Sequence, residues 1–444
     1  MSPSLKRRAT EDGSVSPPPT KRTLIQATTT NSAIANFFKP ASQKEPDKTT
    51  WRVVDNSLLV CNFDKVDEFA SEKPRKVALF DFDSTLITSA SGKKFAQAAE
   101  DWKWWHPHVP TKLQQMVADG YLVAIISNQG GISLNTKSKT VKSDQKRLVN
   151  FKQKVKAVLN QLDLPVSLYA ATEKDRYRKP RVGMWENLLQ DQALQLANID
   201  MQASVFVGDA GGRTASGMYK ADFACSDRDL ASNIGIRFST PEEFFLDEEV
   251  RPFARVFDPS IVLATKGSYK SLTPILNFAS KNPLNVIVFC GSPGAGKSTF
   301  FWKHLEPLGY ERINQDKLGS RRACMQAAEH SLAQGKPVAI DNTNADIDTR
   351  AHWVDLASRF KIPTHCVLFT ASARLCEHND AVRSLGGSSM NPEARLGLPK
   401  VAFTSFASRY RAPTLKEGFE GITEVDFEFA GTEEQTELWS KFWI

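Results

Sequence analysis

Two aspartates separated by one residue follow a short apolar run, an arrangement suited to acid, base or nucleophilic chemistry. The run Val77–Phe80 predicts a buried strand, and Asp81 and Asp83 come directly after it. Because side chains two residues apart in an extended segment point the same way, both carboxylates are expected at the carboxyl end of this strand. Open α/β sheets bind ligands at that edge. The pair therefore suits one nucleophile and one proton donor.

The segment that contains these aspartates resembles a known phosphatase motif. Asp81-Phe82-Asp83-Ser84-Thr85-Leu86 is similar to the first motif, D-x-D-x-T-L, of the haloacid-dehalogenase phosphatase superfamily. The resemblance implies that Asp81 attacks phosphorus to form an aspartyl-phosphate. It also implies that Asp83 protonates the leaving oxygen and later activates water.

Three more polar residues fall in the order that such a phosphatase requires. Ser127 ends an apolar run and would hydrogen-bond a phosphate oxygen, and Lys179 would neutralise charge on the phosphorylated aspartate. Asp209 follows another apolar run and would complete a Mg²⁺ site with Asp81 and the backbone of Asp83, because Mg²⁺ beside a phosphate uses hard oxygen ligands. Each residue alone also fits a cap or a turn. Their order along the chain favours a phosphatase.

A glycine-rich segment further along the chain has the composition of a phosphate-binding loop. It fits the pattern G-x-x-x-x-G-K-[ST] and follows an apolar run at 285–289. The segment consists of Gly291, Ser292, Pro293, Gly294, Ala295, Gly296, Lys297, Ser298 and Thr299. Its backbone N–H groups would hold the phosphates of ATP, Lys297 would reach the β and γ oxygens, and Ser298 would ligate Mg²⁺.

A kinase also needs a base for the acceptor hydroxyl and positive charge near the transferring phosphoryl group. Asp316 lies at a predicted strand-to-helix junction and is a candidate base, although a helix N-cap explains the same position. Asp341 ends another apolar run and would position Mg²⁺ or substrate. Arg383 and Arg395 lie in a polar stretch, 377–399, where a mobile lid would bring guanidinium groups to ATP. A solvated loop accounts for isolated arginines equally well.

The apolar pattern predicts an α/β fold with two mainly parallel sheets and crossover helices. Short apolar runs alternate with helical stretches between residues 51 and 245, and a second such series starts near residue 285. We expect a haloacid-dehalogenase-like phosphatase domain at 51–250, a linker at 251–283 and a P-loop kinase domain at 284–444. Residues 1–50 are expected to form a disordered basic tail.

Two opposed chemistries in one chain suggest a substrate with two kinds of end. Removing and adding phosphate at the same position would only hydrolyse ATP. A broken DNA strand avoids this, because a 3′-phosphate must be removed and a 5′-hydroxyl phosphorylated before ligation. A metabolite kinase fused to a small-molecule phosphatase, or a scaffold with degenerate sites, remains an alternative at this point.

A set of motifs, several of them unrelated to generic phosphatase or P-loop chemistry, together resembles the eukaryotic polynucleotide kinase 3′-phosphatases. They are Tyr177-Arg178-Lys179-Pro180, Val207-Gly208-Asp209-Ala210, Pro241-Glu242-Glu243-Phe244-Phe245, Ile340-Asp341-Asn342-Thr343-Asn344 and Ala412-Pro413-Thr414-Leu415. The resemblance covers about residues 75–420. It implies a 3′-phosphatase followed by a 5′-hydroxyl kinase, with Asp316 as the hydroxyl-activating base and with Mg²⁺ and ATP as cofactors.

The chain departs from that family in three places. Ser127 replaces the usual threonine of the second phosphatase motif but keeps the hydroxyl, and Ala381 stands where the lid often has a further arginine. The phosphopeptide-binding module of the animal members does not fit before residue 51, so we expect a different mode of recruitment.

The net charge of +7 does not by itself indicate a nucleic-acid partner, because much of it lies in the predicted tail. Residues 1–50 hold eight Lys/Arg against four Asp/Glu. Two basic clusters, at 6–8 and 21–22, resemble a bipartite nuclear import signal and predict a nuclear protein. Ile34, Phe37 and Phe38 resemble a sliding-clamp-binding motif, although Asn31 stands where glutamine is usual. An unspecific apolar island is the other interpretation.

The remaining composition predicts a protein without a membrane segment or disulfides, and we expect a monomer. The six cysteines are scattered, with no C-x-x-C pair, and are expected to be reduced thiols. No stretch approaches the ~18 uncharged apolar residues that a membrane span requires.

Overall fold

The described residues form two large, mainly parallel β-sheets and one separate two-stranded pair. The computed structural model describes residues 48–63, 74–93, 98–134, 141–217, 219–264 and 272–444. Residues 1–47 of the predicted tail, with its basic clusters and Ile34, Phe37 and Phe38, lie outside the described residues. The last two residues of that predicted tail, Thr49 and Thr50, instead begin the first strand.

The first sheet has seven strands and contains the predicted phosphatase residues. The strands of this half of the chain are β1 (Thr49–Val54), β2 (Leu58–Phe63), β3 (Val77–Phe80), β4 (Ile87–Thr88), β5 (Lys103–Trp104), β6 (Leu122–Asn128), β7 (Val166–Ala171), β8 (Val205–Val207) and β9 (Arg237–Ser239). The sheet order is β1-β2-β7-β6-β3-β8-β9, and β4 pairs separately with β5. Strands β7, β6, β3, β8 and β9 are parallel to one another, whereas β1 and β2 form an antiparallel hairpin at one edge.

Helices cover both faces of this sheet. They are α1 (His108–Ala118), α2 (Val141–Leu162), α3 (Gly183–Asp191), α4 (Ser226–Ile234) and α5 (Pro241–Leu246). Alternate residues of β3 point to opposite faces, so Phe80 packs in one core with Leu113 of α1, and Leu79 packs in the other with Leu230 of α4. This two-sided burial explains why the parallel strands have continuous apolar sequences.

The second sheet has five strands, all of them parallel. They are β10 (Val286–Cys290), β11 (Glu311–Ile313), β12 (Val338–Ile340), β13 (Thr364–Phe369) and β14 (Gly421–Val425), in the order β11-β12-β10-β13-β14. The helices are α6 (Pro259–Ala264), α7 (Thr273–Lys281), α8 (Lys297–Phe300), α9 (Gln315–Leu318), α10 (Arg321–Ala333), α11 (Ile347–Phe360), α12 (Ala373–Leu385), α13 (Lys400–Arg409) and α14 (Glu433–Trp439). The predicted α/β class with mainly parallel sheets is confirmed.

Two segments that the sequence predicted as loops are partly helical. Residues 251–283 contain α6 and α7, because Ile275 and Phe278 of α7 are buried against the second sheet. The stretch 377–399 begins inside α12, which Ser372 caps by accepting a hydrogen bond from the Leu375 backbone N–H. The limits proposed for the domains remain a prediction.

The aromatic segment Trp102-Lys103-Trp104-Trp105 has a packing role. Lys103 and Trp104 form β5, and the three tryptophans pack against the first core.

Among the described residues no helix is long and apolar enough to cross a bilayer. All six cysteines, which lie within the described ranges, are free thiols.

A buried ion pair links α11 to the segment that precedes β14, and its contribution to stability can be tested by mutation. Arg350 of α11 is fully buried and makes a two-bond contact with Glu417, with Nε–Oε2 and Nη2–Oε1 distances of 2.7 and 2.9 Å. Arg350→Ala leaves that carboxylate buried without its partner, so it should lower the free energy of unfolding by about 3–5 kcal/mol in urea denaturation. Arg359→Ala breaks an exposed pair with Glu329 and should cost under about 1 kcal/mol. Equal losses for the two variants would contradict this assignment.

Candidate active sites

The phosphatase residues meet where three neighbouring parallel strands end. Asp81 follows β3, Ser127 lies near the end of β6, and Asp209 follows β8 after Gly208. Since β6, β3 and β8 are adjacent in the sheet, their carboxyl ends bring the three side chains to one edge. Three residues that are far apart along the chain therefore form a single site.

Lys179 is the centre of this site. Its side chain is 2% exposed, and its ammonium lies 2.6 Å from Asp81 Oδ1 and 2.8 Å from Asp227 Oδ1. It also donates to the carbonyl of Ile126 at 2.9 Å. Burial by itself lowers the pKa of Lys179, but the carboxylates of Asp227 and Asp81 more than offset burial, so the pKa is raised and the ammonium stays charged.

Asn128 fixes the backbone of the lysine. The Lys179 N–H donates to Asn128 Oδ1 at 2.9 Å, and Asn128 Nδ2 donates to the Lys179 carbonyl at 3.3 Å. These two bonds tie the loop that carries Lys179 to the strand that carries Ser127. The backbone of Lys179 is thus tied to β6.

Asp227 belongs to the site although the sequence reasoning did not find it. It lies in the first turn of α4 and accepts a hydrogen bond from the Ala210 backbone N–H at 3.0 Å. Its carboxylate packs so closely on Gly208 that a Cβ there would lie 2.3 Å from Asp227 Oδ2. The glycine before Asp209 was the available sequence signal, because it marks the close approach of another group.

Asp81, Asp209 and Asp227 form a cluster that fits a divalent cation. Their ligand oxygens all lie within 4.8 Å of one another. Burial together with repulsion from Asp81 and Asp227 raises the pKa of Asp209 to about 8. Burial raises the pKa of Asp227 to about 6, although Lys179 pulls it down. A bound divalent cation would offset the repulsion among these carboxylates, and their oxygens are the hard donors that Mg²⁺ prefers.

Asp83 lies beside the cluster and contacts other groups. Its Oδ2 accepts a hydrogen bond from Gln129 Nε2 at 2.7 Å, and the same nitrogen is 3.0 Å from Ser127 Oγ. The carboxylate remains accessible to solvent, yet the surrounding protein and the charge of Asp81 raise its pKa. A raised pKa suits a proton donor that later acts as a base. The sequence reasoning did not single out Gln129.

The P-loop follows β10 and turns directly into α8. Gly294 has a φ of +78°, and a Cβ at this position would lie 2.3 Å from the Cys376 carbonyl of α12. Asn379, one turn later in α12, donates its side-chain amide to the Gly294 carbonyl at 2.9 Å. Helix α12 therefore supports the loop from outside.

The Lys297 ammonium is held by backbone carbonyls. It donates to the carbonyls of Gly291 and Ser292 at 3.0 and 2.7 Å. Burial lowers its pKa. No carboxylate forms an ion pair with it among the described residues, so its charge is available to an anionic ligand.

Ser298 and Asp341 contact each other, and both contact the guanidinium of Arg312. Ser298 Oγ donates to Asp341 Oδ2 at 2.8 Å, and the guanidinium of Arg312 contacts both Asp341 and Ser298. Arg312 also pairs with Glu393 at 2.9 Å. The serine hydroxyl and the aspartate are the donors that Mg²⁺ uses beside ATP phosphates in P-loop proteins. The sequence reasoning missed Arg312.

Asp316 and Arg395 lie together, whereas Arg383 is placed differently from the prediction. Asp316 is not the cap of α9, because Asn314 occupies that position. The Asp316 side chain is 76% exposed, and Asp316 Oδ2 lies 3.4 Å from Arg395 Nη1. Arg383 belongs to the last turn of α12 and pairs with Asp380. The stretch 377–399 was expected to be a lid or a solvated loop, but its first part is helical because α12 continues through Leu385. The catalytic role of Arg383 stays a prediction.

The fold and the two sites define a phosphoryl-transfer protein that joins a haloacid-dehalogenase-like phosphatase to a P-loop kinase. The model of the family "Polynucleotide kinase 3 phosphatase" matches residues 76–245, and an "AAA domain" model matches residues 286–327 and 320–404. The bifunctional polynucleotide phosphatase/kinase of Schizosaccharomyces pombe is 37% identical over 378 residues, which cover 85% of this chain and 84% of that protein. The polynucleotide 3′-phosphatase ZDP of Arabidopsis thaliana is 33% identical over 189 residues, which cover 40% of this chain and 25% of that protein.

The chain belongs to the bifunctional polynucleotide phosphatase/kinase family. It is an enzyme with a polynucleotide phosphatase and a polynucleotide kinase activity. The resemblance of its motifs to this family is thereby confirmed.

The carboxylate cluster predicts a pH-dependent gain in stability for Asp209→Asn. Without metal, the raised pKa of Asp209 means that the folded protein binds more protons than the unfolded chain, so stability falls as pH rises from about 4 to about 8. The variant lacks this loss, and its melting temperature in EDTA should exceed that of the wild type by a margin that grows over this window. Asp119→Asn, which removes an exposed carboxylate away from the cluster, is the control for the substitution itself. A gain for Asp209→Asn that does not change with pH would contradict the crowding of charge.

Proposed function

We propose that the phosphatase half removes 3′-phosphates from DNA strand ends through an aspartyl-phosphate on Asp81. The observation that carries this is the buried contact between the Asp81 carboxylate and the Lys179 ammonium, with the Asp83 carboxyl next to it. Asp81 attacks phosphorus, the bond from phosphorus to the 3′-oxygen breaks, and Asp83 gives its proton to that oxygen. Asp83 then takes a proton from the water that hydrolyses the aspartyl-phosphate.

In the kinase half we propose transfer of the γ-phosphate of ATP to a 5′-hydroxyl. The P-loop N–H groups and Lys297 hold the phosphates, and Asp316 takes the proton of the attacking hydroxyl. The exposure of Asp316 supports this role, because the carboxylate must be reached by a strand end. Arg395 Nη1, at 3.4 Å from Asp316 Oδ2, places a positive charge beside the proposed base.

Both halves would use Mg²⁺. Asp81, Asp209 and Asp227 would hold the ion in the phosphatase, and Ser298 with Asp341 would hold it in the kinase. When bound, Mg²⁺ neutralises phosphate charge in both reactions.

The two activities complement each other at a strand break. One half unblocks the 3′ side and the other phosphorylates the 5′ side, so the products can be ligated. We propose that the enzyme acts in repair of damaged DNA in the nucleus, reached through the basic clusters at 6–8 and 21–22. Ile34, Phe37 and Phe38 would recruit it to the sliding clamp.

Reciprocal variants test the two sites on one substrate. Asp81→Asn removes the nucleophile and should lower release of phosphate from a 3′-phosphorylated oligonucleotide by about a thousandfold or more, while 5′-labelling from γ-labelled ATP stays near the wild-type rate. Lys297→Ala and Asp316→Asn should abolish labelling and spare phosphate release. Both reactions are measured on one nicked duplex.

Two outcomes would contradict this assignment. Loss of both activities from either kind of variant would argue against two separate sites. Activity of the wild type on phosphorylated metabolites with none on any oligonucleotide end would favour the metabolite enzyme.

A peptide of residues 25–42 tests recruitment by the tail. If its aromatic residues dock in the clamp groove, the peptide should bind the clamp in a calorimetric titration, and Phe37→Ala with Phe38→Ala should weaken binding by at least about tenfold. Ser42→Ala is the matched control and should bind like the wild type. Equal binding by the double variant would reject the motif.

A further inference from the structure

Asn233 bonds a residue next to the catalytic lysine and a distant segment of the chain. It lies near the end of α4, and its side-chain amide donates to the carbonyl of Pro180 at 2.8 Å and to that of Phe442 at 2.8 Å. Its side-chain oxygen accepts the Phe442 backbone N–H, also at 2.8 Å. All three bonds are short, and together they satisfy the amide's two donors and one acceptor site.

The Phe442 side chain is held by the same helix. The guanidinium of Arg255 lies 4.5 Å from the centre of the Phe442 ring, a distance typical of a cation–π contact. Arg255 in turn donates to Asp229 at 2.7 Å and to Ser232 at 2.9 Å, both on α4. The backbone and the ring of Phe442 are therefore both fixed to the helix that carries Asp227.

The segment that contains Phe442 is anchored at its other end beside the P-loop. Trp439 is buried, and its indole N–H donates to Asn379 at 2.9 Å, the residue that supports Gly294. Trp439 also stacks on Phe427 and Phe429. Residues 439–442, which we call the brace, thus run from the kinase core to the phosphatase helix α4.

We propose that Asn233 is a positioning residue of the phosphatase: anchored on the brace, it holds the Pro180 carbonyl and so keeps the adjacent Lys179 ammonium in contact with Asp81 and Asp227. Asn128 fixes Lys179 from the β6 side, and Asn233 fixes the following residue from the α4 side. Neither Asn233 nor the brace touches the reacting groups. The inference rests on the phosphatase activity proposed above.

A positioning role of Asn233 predicts an effect on kcat that a purely structural role would not produce. Lys179 neutralises charge that grows on the phosphorylated aspartate, so a small displacement of its ammonium affects the transition state more than substrate binding. Loss of the Asn233 bonds should therefore appear in kcat and leave KM nearly unchanged. The kinase, whose P-loop is supported from α12, should be unaffected.

The test uses the full chain with Asn233→Ala, deletion of residues 442–444, and the two combined. Asn187→Ala is the matched control, because Asn187 is also a buried asparagine on a phosphatase helix and bonds Arg52 instead. We measure kcat and KM for a 3′-phosphorylated oligonucleotide, the rate of 5′-phosphorylation, and the melting temperature of each variant. The wild type's release of phosphate tests the proposed function separately.

We expect Asn233→Ala to lower the phosphatase kcat by about five- to tenfold, with KM within about twofold and the kinase rate unchanged. The deletion should lower the phosphatase kcat at least as much, because it also removes Trp443, which packs with Trp439 and Leu375. In the Asn233→Ala background the deletion should lower the phosphatase kcat by less than it does in the wild type, since the two changes break one link. Asn187→Ala should keep the wild-type kcat.

Three results would overturn the proposal. They are an unchanged phosphatase kcat in Asn233→Ala, an equal fall in both activities that follows the melting temperature, and multiplicative effects in the combined variant. If the deletion also lowers the kinase rate, the kcat and KM of Asn233→Ala decide alone.

Discussion

The phosphatase half depends on one buried charge, the ammonium of Lys179. A cation that is almost fully removed from water needs compensating partners, and at Lys179 the carboxylates of Asp81 and Asp227 supply them at 2.6 and 2.8 Å. The same ammonium allows three carboxylates to share a small volume, because it lowers the pKa of Asp227 and Asp209 against the effect of burial. Asp81, Asp209, Asp227 and Lys179 are therefore one electrostatic unit.

In the kinase half, the buried ammonium of the P-loop lysine is stabilised in another way. Lys297 is also buried, but backbone carbonyls hold its ammonium, and burial lowers its pKa. Asp341 is instead paired with Arg312, which also contacts Ser298. The lysine of the phosphatase is thus neutralised by the protein, whereas that of the P-loop is left for phosphate oxygens. This difference fits the two reactions proposed above, in which the phosphatase carboxylate becomes phosphorylated and the P-loop binds the intact polyphosphate of ATP.

Local motifs were readable from the sequence because their residues are close along the chain or repeat a known spacing. Asp81 and Asp83 follow a four-residue apolar run, and parallel topology brings the end of the next such run to the same edge. Asp227 was not readable, because its role comes from the packing of a helix N-terminus onto Gly208, a contact between residues 19 positions apart with no shared pattern. Arg383 was misplaced for a related reason. The polar composition of α12 hides a helix whose few apolar residues, such as Val382, are enough to bury one face.

The central claim is that Asp81 becomes phosphorylated within the Lys179 site, and acid quenching tests it most directly. The enzyme is mixed with an excess of oligonucleotide carrying a labelled 3′-phosphate, quenched in acid within milliseconds, digested and analysed by mass spectrometry. The account predicts label on the peptide that contains Asp81, released by hydroxylamine and absent in Asp81→Asn. Release of labelled phosphate at the wild-type rate with no label on the protein at any time would contradict it.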